Sequence, residues 1–263
     1  MISFHDLAFG LRDLEVEVGA PVIAHASLSA FGELSGGAEA LVGALLAGFD
    51  TLLMPVFTYQ TMLVPEVGPP DNGLIYGSRR ENNALAEFFR PDLPVHPTIG
   101  AVAEALRRHP KAYRSTHPIL SFCGTNAEAF LGTQTLAEPL RPIAALAQAG
   151  GWVLLLGVNH VANTSLHYAE RLAGRKQFIR WALTPGGVVE CAYFPGCSFG
   201  FQAVTTRLGA LTHWARIGGA EIRALPLAGM IEVVQGMIQA DPLALLCERE
   251  ACERCQAVRN SLE

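Results

Sequence analysis

Apolar and polar positions along the chain switch repeatedly between a helical and a strand-like period. Leu7, Leu11 and Leu14 recur at helical spacing and predict an amphipathic helix over 4–18. Pro21-Val-Ile-Ala-His25 has the length of a buried strand. A turn-rich stretch, 27–37, follows it, then a helix from Ala38 to about Gly48 with Ser35 as its N-cap. A second strand is predicted over 51–57, where Pro55 marks an edge or a strand end because it has no N–H to donate. Residues 59–81, with Pro65, Gly68, Pro69, Pro70 and Gly73, read as one long polar loop. Loops beyond about 15 residues are more often functional than idle. Helices are then predicted over 99–109, 127–131, 142–149 and 165–173, and a short strand over 119–123. Residues 151–158 form the most apolar strand, and 180–183 pairs with 188–193 as a hairpin across Thr184-Pro-Gly-Gly187. A terminal helix is expected over 243–258. The alternation describes one α/β domain over 1–263, with a mixed central sheet covered by helices.

The 263 residues are half apolar and 16% charged, ample for a sizeable core and unlike a disordered chain. A net charge of -5 leaves no basic footprint, so nucleic acid is excluded as a partner. Mean hydropathy is +0.28, yet no apolar run reaches the length of about 18 residues that spans a membrane. Met1-Ile-Ser-Phe-His-Asp6 does not read as a signal peptide. A soluble cytoplasmic protein without a membrane partner is the expectation.

Cys123, Cys191 and Cys197 read as small buried hydrophobes. Cys252-Glu-Arg-Cys255 is formally a C-x-x-C with Cys247 nearby, but a zinc site wants four ligands and no second pair adjoins it. On the expected terminal helix these cysteines share a face, and no metal is predicted.

Three segments carry chemistry. In Ala24 to Ala38 a strand end meets small hydroxyl residues and a Gly36-Gly37 pair that opens a helix. This is a ready anion site or a plain polar connection, and it matches neither a P-loop nor a dinucleotide loop. In Arg114-Ser-Thr-His-Pro118, arginine, serine and histidine are grouped as for phosphate oxygens, or as an ordinary turn into a strand. In Gly157 to Glu170, His167 and Glu170 stand at i and i+3 after the best strand, so a carboxylate can orient an imidazole as general base. No G-x-S-x-G elbow or H-E-x-x-H zinc pattern occurs.

Together these segments resemble the antibiotic N-acetyltransferase family, whose best-known members acetylate the 3-amino group of aminoglycosides. The resemblance rests on His25-Ala-Ser-Leu-Ser-Ala-Phe-Gly32 with Gly36-Gly37, on Leu53-Met-Pro-Val-Phe-Thr58, on Gly100 to Glu104, and on Arg114-Ser-Thr-His-Pro118. It continues through Asn163-Thr-Ser-Leu-His-Tyr-Ala-Glu170 and Pro195-Gly-Cys-Ser198. It implies an acetyl-CoA dependent transferase with the family's own α/β fold, distinct from the GNAT fold, that uses direct transfer in a ternary complex and gives antibiotic resistance.

The same resemblance assigns Ser27, Leu28, Ser29, Ala30, Phe31, Gly32, Ser115 and Ser121 to coenzyme A. It makes His167 the general base with Glu170 and His25 beside it, and places Thr58, Tyr59, Glu66 and Glu170 toward the amine. The mechanism it implies requires no metal, and a homodimer is left open.

The chain departs from the family pattern at His25-Ala-Ser27, where the family has His-Ser-Ser. Its acceptor region, 59–83, mixes Glu66, Asp71 and Glu81 with Arg79 and Arg80. A polycationic sugar wants clustered carboxylates, so the same transfer to another small-molecule amine stays open. A silent CoA-binding protein and a hydrolase using His167 are further alternatives.

Overall fold

A computed structural model describes residues 1–77 and 83–263. Arg79, Arg80 and Glu81 lie outside the described residues. Ten strands are described: β1 (Val22–Ala26), β2 (Leu52–Pro55), β3 (Met62–Leu63), β4 (Tyr113–Arg114), β5 (Phe122–Thr125), β6 (Trp152–Leu156), β7 (Phe178–Thr184), β8 (Gly187–Phe194), β9 (His213–Ile217) and β10 (Ala220–Pro226). Seven build one sheet in the order β4-β5-β2-β1-β6-β10-β9, and β3-β7-β8 form a second, smaller one. The centre of the large sheet is parallel, β2-β1-β6, and its flanks are antiparallel.

Central strands β1 and β6 are buried on both faces, which explains their near-continuous apolar sequences. Alternation still divides them. Val22, Ala24, Leu154 and Leu156 pack with the helices Phe4–Arg12, Gly37–Gly48 and Ala101–Arg108. Ile23, Val153 and Leu155 pack on the opposite face with Arg141–Gln148, Ser165–Leu172 and Leu227–Ala240. This is the expected mixed sheet covered by helices.

Several boundaries differ from the sequence reading, each for a local reason. The first helix stops at Arg12. Leu14 is buried as expected, but a turn with Glu15 at φ 49 brings it there. Ser35 does not cap the second helix; its N–H donates to the Ile2 carbonyl at 2.9 Å, and the cap is Gly36 at φ 78. The strand expected over 119–123 begins later, because His117 Nδ1 accepts the N–H groups of Ile119 and Leu120 in a turn. The long loop after Tyr59 holds β3, which pairs with β7.

The last helix is Glu253–Asn260, not 243–258. Upstream of it, Leu245 has φ 64, and the carbonyls of Pro242, Ala244 and Cys247 accept from the guanidinium groups of Arg175 and Arg259 instead of from a helical turn. The strands β9 and β10 and the helix Leu227–Ala240 escaped the sequence reading. In β9 and β10 the alternation is broken by charge, with Arg223 lying over its cross-strand neighbour Trp214 at 4.6 Å.

Candidate active site

The parallel strands β1 and β6 end side by side, with His25 in register with Leu155. Two residues beyond Ile23, His25 falls on the face that carries the helix Ser165–Leu172. That helix starts soon after β6. Asn159 Oδ1 accepts the N–H of Val161, and Asn163 Oδ1 accepts that of Ser165, so the polar turn satisfies its own backbone. One helical turn then brings His167 Nδ1 to 2.6 Å from Glu170 Oε2. Both side chains are buried, and Glu170 Oε1 accepts from Arg175 Nη1 at 2.8 Å. A carboxylate held in this way accepts a hydrogen bond from Nδ1–H and leaves Nε2 as the basic nitrogen of the imidazole.

His167 and His25 both line a cleft of about 1750 Å³. Burial holds His25 neutral, with its pKa lowered to about 3, and its Nε2 makes no hydrogen bond to the described residues. Ser27, Leu28, Ser29 and Gly32 line the same cleft, with Ser27 Oγ 3.1 Å from Ser29 Oγ. The Leu28–Phe31 turn that carries them is clamped by Gly157. This residue has φ 68, and a side-chain carbon on it would come within 2.4 Å of Ala30 Cβ. Tyr59 also lines the cleft, and burial raises its hydroxyl to about 12.

Other expected site residues lie elsewhere. Phe31 is a core residue at 2% exposure. Ser115 Oγ accepts the Phe122 N–H at 2.9 Å, and Ser121 Oγ bridges Arg114 Nε and the Val56 carbonyl. Arg114 spends its guanidinium on the carbonyls of Pro91, Leu93 and Val56, so this loop fastens backbone rather than facing the cleft. Burial lowers the Arg114 pKa to about 10. Thr58 is fully buried and donates to the Pro118 carbonyl at 2.7 Å. Glu66 is exposed. Glu170 is 1% exposed with both oxygens engaged, which suits orienting His167 rather than facing the amine.

Sequence reasoning missed Arg175. A basic residue just past a helix end ordinarily reads as a solvated charge, and only its i+5 spacing from Glu170 hinted otherwise. It missed Arg180, Arg249 and Arg254 as well, which line the cleft together with Glu253.

The family model for aminoglycoside 3-N-acetyltransferases matches residues 23–239. The chain belongs to that family. Among family members, an aminoglycoside N(3)-acetyltransferase IX of Micromonospora chalcea is 35% identical over 67% of this chain and 64% of that protein. The chain thus spans less than two thirds of that relative. An aminoglycoside N(3)-acetyltransferase IV of Salmonella is 32% identical over 96% of this chain and 94% of its own length. The fold of the present chain matches the crystal structure of aminoglycoside acetyltransferase AAC(3)-IVa with a TM-score of 0.80 and 28% identity, over 99% and 97% of the two chains. A histidine-to-alanine mutant of that enzyme, in complex with a gentamicin, matches over the same shares of the two chains at a TM-score of 0.77.

Proposed function

We propose that this chain, as a single domain over 1–263, moves the acetyl group of acetyl-CoA onto the 3-amino group of an aminoglycoside and thereby gives resistance. The observation that carries this reading is the His167–Glu170–Arg175 chain of contacts at the wall of a cleft large enough for two substrates. Family membership supports the same reaction. Acetyl-CoA is a cytoplasmic metabolite, so the cytoplasm is the proposed location. Among the described residues no helix is long and apolar enough to cross a membrane.

Acetyl-CoA is a co-substrate here and supplies the thioester. Ser27, Ser29 and Gly32 offer hydroxyls and a close backbone approach for its pantetheine. Thr98, Gly100 and Ala101, at the start of the helix Ala101–Arg108, offer a second polar contact on the same cleft. His167 Nε2 takes a proton from the amine as nitrogen bonds to the thioester carbon, and Glu170 stabilises the imidazolium. General-base help of this kind contributes about 10²–10⁴ in rate. His25, neutral and unpaired at Nε2, is placed to donate one N–H to the developing oxyanion, a contact worth about 3 kcal/mol. The C–S bond then breaks, and His167 returns its proton to the departing thiolate. The products are the amide and free coenzyme A.

A second reading keeps the chemistry and changes the amine. Arg180, Arg249 and Arg254 line the cleft where a polycationic sugar wants acids, and Glu253 is the acid among the described lining residues. Free-thiol release from acetyl-CoA separates the two readings. Release that needs the 3-amino group across an aminoglycoside panel establishes the first. If no aminoglycoside drives release although calorimetry shows coenzyme A binding, another amine is the acceptor.

A further inference from the structure

We propose that this protein carries a structural zinc ion held by Cys197, Cys247, Cys252 and Cys255. Their four sulfur atoms all lie within 4.8 Å of one another. A tetrahedral ion with Zn–S bonds of about 2.3 Å needs sulfurs about 3.8 Å apart, so the cluster closes on the metal with small side-chain movements. Three of the four are buried, and Cys252 is half-buried. This replaces the sequence-based expectation of no metal. That expectation counted only the cysteines after residue 246 and put them on one helix. The chain instead passes through an irregular segment to the short helix Glu253–Asn260, and Cys197 arrives from the loop after β8 as the fourth ligand.

The surroundings fit a thiolate site. Backbone N–H groups of Phe199 and Cys247 point at Cys197 Sγ and Cys255 Sγ, at 3.5 and 3.4 Å. Such donors orient thiolates and offset their charge. Binding releases the thiol protons and leaves the four-thiolate zinc centre with two negative charges. Arg249, Arg254 and Arg259 lie on the segment that supplies three of the ligands. Their side chains cover the Phe199 ring and donate to the Gly196 and Cys247 carbonyls. An all-sulfur tetrahedral set selects zinc over the oxygen-seeking cations. With all four positions filled by protein, the ion is structural and has no open site for chemistry.

Its role follows from what it joins. Cys197 and Cys252 line the same cleft as His167, so the ion clips the C-terminal segment to the cleft wall. The residues before Glu253 have few helical hydrogen bonds of their own; Leu245 anchors them in the main core, and Cys197, Cys247 and Cys255 form a small separate cluster with Leu246. A metal cross-link between residues about fifty apart fixes this irregular segment to the loop after β8.

The test uses the full chain, purified from zinc-supplemented medium and dialysed, with metal content read by plasma mass spectrometry. About one zinc per chain is expected, released by titration with about four equivalents of a mercurial. Replacement by cobalt(II) is expected to give the intense visible bands of a tetrahedral thiolate centre. Cys197→Ser and Cys255→Ser should each lower zinc occupancy at least about tenfold, while Cys123→Ala should leave it unchanged. If the serine variants do not fold, the wild-type stoichiometry and the cobalt spectrum decide alone. Less than about a tenth of an equivalent in the reconstituted wild type would overturn the proposal. Iron in place of zinc, or a disulfide among the four cysteines in non-reducing peptide mass spectrometry, would overturn it equally.

Discussion

Glu170 binds His167 with one carboxylate oxygen, at 2.6 Å, and Arg175 with the other, at 2.8 Å. Arg175 in turn donates to the carbonyls of Pro242 and Ala244, so His167 is tied to the C-terminal segment through one buried guanidinium. The first expected outcome concerns the base. His167→Ala should lower kcat by about 10²–10⁴. Coenzyme A affinity by calorimetry should stay near the parent value, because the turn proposed to hold it, with Ser27, Ser29 and Gly32, remains. Turnover close to the parent would remove His167 from the mechanism.

In the proposed mechanism Arg175 positions Glu170 and, through it, His167. Arg175→Ala leaves Glu170 buried without its cation, a change that typically costs about 3–5 kcal/mol of stability. The variant should also lose kcat with little change in the KM for acetyl-CoA, since the donor-side turn is untouched. Arg175→Lys should restore part of the stability and less of the rate, because one ammonium cannot span Glu170 and two carbonyls. Denaturant midpoints and kcat against KM, measured side by side, check both statements. A fall in KM alone, or equal recovery of rate and stability, would contradict them.

Gly157→Ala tests the clamp on the Leu28–Phe31 turn. The added carbon meets Ala30 at a distance no real pair of carbons adopts, and the φ of 68 disfavours any side chain. A loss of about 2 kcal/mol or more is expected from strain and overpacking. A raised KM for acetyl-CoA should accompany it, as the Ser27–Ser29 turn is pushed into the cleft. An unchanged KM would move the donor site away from this turn.

Stability should fall as pH drops from about 6.5 toward 4. Burial lowers the pKa of His25 to about 3, and those of His117 and His160 to about 4. In the unfolded chain each imidazole titrates near 6.5, so in this window the unfolded state binds protons that the folded state refuses. That uptake favours unfolding by about 2 kcal/mol per histidine at about pH 5. Urea midpoints at pH 7.5 and 5.5, both above the carboxylate range, check the sign. A higher midpoint at pH 5.5 would contradict the lowered pKa of these histidines.

By itself the sequence determined the α/β class, the central strands, the hairpin of β7 and β8, and the pairing of His167 with Glu170. All of these depend on local spacing. A period of two or of 3.6 survives in a linear text, and i and i+3 on a helix meet whatever surrounds them. The Ser27–Ser29 turn was legible for the same reason, because small hydroxyl residues and glycine between a strand and a helix describe a loop that a ligand can approach.

Tertiary structure alone decided the rest. Whether Ser115, Ser121 and Arg114 face a ligand or hold backbone depends on where the Pro91–Leu93 and Val56 carbonyls arrive, and no spacing encodes that. Arg175 became part of the site only when the segment after Leu227–Ala240 folded back across it. Cys197 joined Cys247, Cys252 and Cys255 by the same return of the chain. The physical reason is common to these cases. A buried polar group or thiol takes its role from the partners that long-range folding delivers, and that delivery is a property of the packed chain.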